Sequence, residues 1–111
     1  MQRMEEGIVD DYLEWVIEKQ FAEDLEDAGW FTLKGDKIKR GFADRFCFGP
    51  GPTTIIVEFK RLGAPAKRRG EALQNHYRTQ FRDLGFETRK VIGWDAAADL
   101  YKELLETYRW G

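Results

Sequence analysis

Glu58 and Lys60 close a run rich in β-branched residues, Thr53-Thr54-Ile55-Ile56-Val57, and Asp44 stands one hairpin arm earlier. Residues two apart in a strand point to the same face, so Glu58 and Lys60 share one. If Asp44 pairs with Glu58 in an antiparallel register, Phe46 faces Ile56 and Phe48 faces Thr54. Gly49–Thr53 then closes the hairpin with a loop of ordinary length. This register gathers two carboxylates and an ammonium at the open end of the hairpin. Unpaired charge beside so apolar a strand is costly. A divalent cation would offset it. Mg²⁺ and Mn²⁺ take hard oxygen ligands, typically one or two carboxylates with waters and phosphate oxygens. Such an ion orients a phosphodiester and lowers the pKa of bound water. The lysine then hydrogen-bonds the attacking water or a phosphate oxygen and stabilises the charge that develops at phosphorus.

Glu-x-Lys alone is a weak signal, with about 0.4 occurrences due by chance in a chain of this length. The plain alternative is a salt bridge at a strand end. The combination argues for chemistry: an acid one arm earlier, the β-branched run, and basic loops on either side.

The elements that must position these groups read as follows. Leu13, Ile17, Phe21, Leu25 and Ala28 form one stripe of a helix over 5–28, widened at its start by Ile8, Tyr12, Trp15 and Val16 and stopped by Gly29. Trp30–Leu33 is a short strand, and Lys34–Gly41 is a basic loop. Ala43–Phe48 and Thr54–Lys60 are strands joined by Gly49-Pro50-Gly51-Pro52, a strong turn signal. Arg61–Gly70 is a loop carrying Lys67-Arg68-Arg69. Glu71–Leu84 is a helix closed by Gly85, and Phe86–Ile92 is a strand. Asp95 can N-cap a last helix that buries Ala98, Tyr101, Leu104, Leu105 and Tyr108. The order is α-β-β-β-α-β-α, a mixed α/β domain with a central sheet flanked by helices.

At 111 residues, with 42% hydrophobic, 34% charged and 14% aromatic content, the chain can build one modest core and is not disordered. The expected organisation is a single domain over 1–111, with 1–16 as a helical extension. No apolar run reaches the roughly 18 residues of a membrane span, and no signal peptide opens the chain, so an intracellular, cytoplasmic setting is expected. Cys47 is the only cysteine, which excludes an internal disulfide framework and a cysteine-based zinc site. The net charge of −2 hides a partition. Residues 1–33 hold two cations and ten acids (−8). Residues 34–90 hold fourteen cations and six acids (+8), and residues 91–111 hold two cations and four acids (−2). A basic middle between acidic ends points to a polyanion partner, although solvated helix faces and a chance cluster would read the same way.

Gly41-Phe42-Ala43-Asp44-Arg45, Ile56-Val57-Glu58-Phe59-Lys60, Leu73-Gln74 and Leu84-Gly85-Phe86 together resemble the virus-type replication–repair nuclease (VRR-NUC) domain of the PD-(D/E)xK nuclease superfamily. Upstream, Ile17-Glu18-Lys19 and Gly29-Trp30-Phe31-Thr32-Leu33-Lys34 extend the likeness to about residues 17–100. The chain resembles the small stand-alone phage type. The resemblance implies a PD-(D/E)xK nuclease-like core. It also implies an Mg²⁺- or Mn²⁺-dependent endonuclease acting on DNA, on branched forms such as four-way (Holliday) junctions, as a homodimer. Residue by residue, it makes Asp44 and Glu58 the central metal-binding acids, with the Phe59 carbonyl a further ligand and Lys60 the catalytic lysine. Glu18 matches the acid that the first helix offers to the metal, and Glu14 is its rival from one turn away. Gln74 matches a glutamine of the helix after the catalytic strand. The family usually carries proline before the aspartate, where this chain has Ala43, a change that touches the local backbone and no ligand.

Lys34, Lys37, Lys39 and Arg40, with Lys67, Arg68 and Arg69, are the candidate phosphate contacts, which give affinity and salt dependence without reading sequence. Arg78 and Arg82 extend that basic face. His76, the only histidine, reads as a surface residue. Cys47 reads as a small core residue. The four tryptophans read as core or interface, with base stacking by Trp30 or Trp110 as an alternative. A dimer could use the apolar face near Ile8, Tyr12 and Trp15. The rival class is a non-catalytic DNA-binding module whose acids form structural salt bridges, and a third reading is a nuclease acting on RNA.

Overall fold

A computed structural model describes residues 13–63 and 70–110. Its elements run α1 (Glu14–Asp27), β1 (Phe31–Lys34), a 3-10 turn (Gly35–Lys37), β2 (Arg45–Phe48), β3 (Thr54–Lys60), α2 (Glu71–Asp83), β4 (Glu87–Ile92) and α3 (Trp94–Thr107). The α-β-β-β-α-β-α order expected from the sequence is borne out.

The strands form one mixed sheet in the order β1-β2-β3-β4. β1 and β2 are antiparallel, as are β2 and β3, whereas β3 and β4 are parallel. Phe46 pairs with Ile56 and Phe48 with Thr54, which is the register expected from the loop length. The ladder begins at Arg45 opposite Val57, so Asp44 lies just ahead of the strand at a bend and not inside it. The strand predicted from Ala43 is shorter by two residues as a result.

β3 is buried along nearly its whole length, as its β-branched composition requires. Ile55, Val57 and Phe59 point into a core with Ile17, Phe21 and Leu25 of α1 and Ala97, Leu100 and Leu104 of α3. The Phe21 and Phe59 rings meet edge to face at 5.2 Å. The opposite face carries Ile56, Glu58 and Lys60 and is covered by α2. That helix has no fully buried residue, and it docks on the sheet through an aromatic cluster in which Phe42 meets both Tyr77 and Phe81, and Phe46 also meets Phe81.

Two expectations about the elements change, and the tryptophans divide between core and surface. α1 starts at Glu14, because Leu13 is extended (φ −71°, ψ 152°) and half-exposed at its N-cap. The proposed continuation over residues 5–12, with Ile8 and Tyr12, lies outside the described residues, as does most of the suggested 1–16 extension. Gly93 and not Asp95 takes the N-cap position of α3, and Asp95 falls in the first turn. Trp30 is 3% exposed within the core, as its core reading expects, which excludes the base-stacking alternative for it. Trp15 is 62% exposed and Trp110 58%, so neither is core. Gly29 does end α1, at φ 97°, a backbone state that L side chains rarely adopt.

Candidate functional site

The chemistry-bearing residues of the hairpin meet at one end of the sheet. Asp44 is held there through its backbone and its side chain. The Gly35 N–H donates to the Asp44 carbonyl at 3.1 Å, and the Phe59 N–H donates to Asp44 Oδ2 at 2.7 Å. The carboxylate thus reaches across the hairpin to the residue between Glu58 and Lys60. Burial lifts the Asp44 carboxyl from its ordinary 3.8 to about 6. The Phe59 hydrogen bond opposes that rise, Glu18 and Glu58 add to it, and Lys60 opposes it again. Asp44 therefore feels the field of three of the residues assigned to the site from sequence, Glu18, Glu58 and Lys60.

Glu58 is 2% exposed. Burial raises its carboxyl, and the strongest opposing pull comes from Arg78, whose Nη1 lies 3.2 Å from Glu58 Oε2. Asn75 Oδ1 accepts from the other Arg78 nitrogen at 2.5 Å and steadies the guanidinium. Lys60 points to the same side of β3. Its Nζ donates to Gln74 Oε1 at 3.2 Å and lies 3.4 Å from Glu71 Oε2. Gln74, assigned by resemblance, therefore touches the lysine directly.

Glu18 approaches from the other face of the sheet. The Arg45 Nε donates to Glu18 Oε2 at 2.7 Å, and Lys34 Nζ lies 3.5 Å from the same oxygen. Arg45 also donates to Thr32 Oγ1, which donates in turn to Glu26 Oε2. A polar chain thus runs from β2 across β1 to α1 and fixes the Glu18 carboxylate.

Two open clefts meet at Asp44. One, of ≈ 370 Å³, has Glu18, Lys34, Phe59 and Arg61 in its walls, and the other, of ≈ 610 Å³, has Arg40, Lys60, Leu73 and Gln74. Glu14 and Asp36 border both. Glu14 and Glu18 thus both reach the site, and the field of Glu18 acts on Asp44.

The remaining assignments divide. Lys37, Lys39 and Arg40 are exposed on the loop beside the second cleft, with the Lys39 ammonium 5.2 Å from the centre of the Tyr77 ring. Lys34, grouped with them from sequence, is half-buried and turned toward Glu18. Lys67, Arg68 and Arg69 lie outside the described residues. Arg82 stays on the surface and donates to Thr88 Oγ1 at 3.4 Å. Arg78 does not extend the basic face as expected, because Glu58 draws it inward. His76 is exposed and Cys47 is buried, where burial pushes its thiol up to about 12. Sequence reasoning missed Arg45 and Glu71. Arg45 carried a usable signal as the neighbour of Asp44. Glu71 carried one in its place three residues before Gln74 on one helix face.

Among the described residues, no group of three or more His, Cys, Asp or Glu is close enough to hold a metal ion by itself. The donors that do converge are carboxylate oxygens, Asp44 and Glu58, both held above their ordinary pKa by burial. The pair supplies hard oxygen donors, and its positive neighbours are Arg78 beside Glu58 and Lys60 beside both. It fits a hard divalent cation that keeps much of its water, the usual mode of Mg²⁺.

Neither a family model nor a curated protein matches the sequence. A solved structure described as a VRR_NUC domain does match the fold. The two share 20% sequence identity with a TM-score of 0.63, over 86% of this chain and 97% of the other. The mixed sheet of four strands and the three helices among the described residues therefore have the fold of a VRR_NUC domain, with the sheet end that gathers Asp44, Glu58 and Lys60 as its candidate site.

Proposed function

We propose that this protein is a metal-dependent endonuclease that hydrolyses DNA phosphodiester bonds, with branched DNA such as four-way junctions as its substrate and a homodimer as its working form. The observation that carries the reading is the meeting of Asp44, Glu58 and Lys60 at one end of a sheet with this fold. Asp44 and Glu58, with the Phe59 carbonyl, would hold Mg²⁺ or Mn²⁺, and Glu18 adds negative field beside them. When bound, such an ion polarises a phosphate oxygen and activates water. Lys60, held by Gln74 and Glu71, presents its ammonium to the phosphate or to the attacking water and offsets the charge that builds at phosphorus. Lys37, Lys39 and Arg40 contact the flanking phosphates, joined by Lys67, Arg68 and Arg69, while Lys34 serves Glu18 first. A dimer suits a junction, because one small domain supplies one cut and symmetric resolution requires two.

The Glu58–Arg78 and Glu18–Arg45 pairs favour one second reading, a DNA-binding module whose acids are structural. Cleavage decides between them. Labelled four-way junction, linear duplex and matched RNA duplex are incubated with the protein in Mg²⁺ or Mn²⁺, alongside Lys60→Ala and Asp44→Ala. The nuclease reading requires cutting of DNA that EDTA stops, loss of cutting in both variants, and retained junction binding by Lys60→Ala. Binding without cutting by the wild type supports the structural reading, and preferential cutting of the RNA duplex replaces DNA as substrate. Sedimentation of the free protein and of its junction complex tests the dimer.

A further inference from the structure

Glu71 is the residue at the candidate site that neither the hairpin nor the resemblance pointed to. Its two carboxylate oxygens are shared between two lysines. Oε2 lies 3.4 Å from Lys60 Nζ, and Oε1 lies 3.4 Å from Lys90 Nζ. Lys90 is the register partner of Glu58 across the parallel β3–β4 pair, so it stands on the strand next to the site. Its side chain is 38% exposed against 11% for that of Lys60.

Three residues of one α2 stripe grip β3. Glu71 and Gln74, three apart, reach Lys60, and Arg78, four further on, reaches Glu58. Spacings of three and four place side chains on one helix face, one above another. A free lysine ammonium moves on a flexible four-carbon stem. Two acceptors one helical turn apart remove most of that freedom and engage two of its three N–H groups. The ammonium is then aimed at the cleft that Lys60 shares with Asp44 and Gln74. Glu71 lies in the first turn of α2, where the helix dipole also favours its negative charge.

We propose that Glu71 is a positioning residue that aims Lys60 into the cleft and holds Lys90 beside it as a second phosphate contact. The proposal rests on the reading of Lys60 as the reacting ammonium, and it deepens that reading by naming what orients it.

The test pairs a spectroscopic signature with kinetics, using Glu71→Ala, Glu71→Gln and Lys90→Met in the full chain. An ammonium held by two acceptors exchanges its protons slowly enough for its ¹H–¹⁵N correlation to be observed. The Lys60 correlation should be present in the wild type, absent in Glu71→Ala and partly restored in Glu71→Gln, whose amide oxygen still accepts. On the junction substrate, Glu71→Ala should lower kcat about tenfold, the size of one charge-assisted hydrogen bond. KM should stay within about twofold, as for an interaction realised in the transition state. Glu71→Gln should recover most of the rate. Lys90→Met should raise KM and spare kcat. Mn²⁺ affinity, measured by calorimetry, should match the wild type in Glu71→Ala, because no carboxylate ligand is removed. A Lys60 correlation unchanged in Glu71→Ala, or a Glu71→Gln variant no better than alanine, overturns the proposal. The two readings fail separately. A wild type that never cuts, yet loses the Lys60 correlation on Glu71→Ala, sinks the nuclease reading and leaves the positioning role. A wild type that cuts, with Glu71→Ala cutting equally fast, does the reverse.

Discussion

The Arg78 guanidinium lies 3.2 Å from the Glu58 carboxylate, the most enclosed acid of the site. The two residues are twenty positions apart and belong to different elements, so the pair ties α2 to the centre of the sheet. Their proximity opposes the effect of burial on the charge state of Glu58. Burial favours the neutral acid, and Arg78 is the largest influence against it.

Arg78→Ala should therefore destabilise the metal-free protein in a pH-dependent way. A carboxyl raised in the folded state binds more protons there than in the unfolded chain. Its contribution to stability then falls as pH climbs from the ordinary value of 4.5. Loss of Arg78 raises that carboxyl further and extends the falling region upward. Urea denaturation in EDTA should show the variant close to wild type below pH 4.5 and about 2 kcal/mol weaker at pH 8. The partial exposure of Arg78 keeps the figure below that of a fully buried pair. An equal deficit at both pH values would mean that Arg78 acts by packing alone.

Asp44 gives a second pH signature with the opposite result on substitution. Its carboxyl rises from 3.8 to about 6, so ionising it in the fold costs free energy that the unfolded chain does not face. The penalty is absent below about pH 4, grows up to pH 6 and is complete above it, and the span corresponds to roughly 3 kcal/mol at most. Asp44→Asn keeps an acceptor for the Phe59 N–H and removes the charge. Without metal it should melt above the wild type at pH 8 and alongside it at pH 4. Added Mn²⁺ should raise the wild-type melting temperature and leave Asp44→Asn unmoved. A wild type whose melting does not respond to Mn²⁺ would remove Asp44 from the metal assignment.

The parts of the fold legible in the sequence are those set by local rules. The Gly-Pro-Gly-Pro turn and the β-branched run fix the hairpin and its register, so Phe46 falls opposite Ile56 as expected. The stripe of Ile17, Phe21 and Leu25 marks the buried side of α1. Pairing between distant charges has no such signature. Arg45 with Glu18 and Arg78 with Glu58 join residues 27 and 20 positions apart, and periodicity says nothing about which cation meets which acid. Arg78 looked like surface because its helix neighbours are polar, yet the same stripe carries Gln74 and Glu71 onto β3. Trp30 looked ambiguous because one tryptophan reads alike in a core or on a base-stacking surface.

Gly35 leaves room for the bend at Asp44, directly after Ala43. A Cβ built on Gly35 would lie 2.1 Å from the Ala43 carbonyl oxygen, while the Gly35 N–H holds the Asp44 carbonyl. The two backbones approach too closely for any side chain. Gly35→Ala should push the Ala43–Asp44 segment outward, cost about 2 kcal/mol or more, and weaken Mn²⁺ binding by displacing the Asp44 carboxylate. Ala43→Pro is the informative companion, because it restricts the same segment without filling that gap. It should retain Mn²⁺ binding. Equal metal affinity in Gly35→Ala and wild type would show that the Asp44 carboxylate does not depend on this close approach.

Net charge alone would set this chain against nucleic acid, and the exposed loop beside the second cleft shows why it need not. Lys37, Lys39 and Arg40 are all exposed there, and Lys39 is already steered toward the helix by the Tyr77 ring. Each phosphate neutralised by such a side chain releases counterions, so affinity falls linearly on a logarithmic salt scale, with a slope of about 0.9 per contact on duplex DNA. Changing all three residues to alanine should reduce that slope by about 2 to 3 and weaken binding to junction and linear duplex alike. Lys34→Ala should alter the slope little, because that ammonium already serves Glu18 at 3.5 Å. Binding isotherms from 50 to 200 mM salt separate the two cases. An unchanged slope in the triple variant would place the phosphate contacts elsewhere on the +8 segment and take this loop out of the interface.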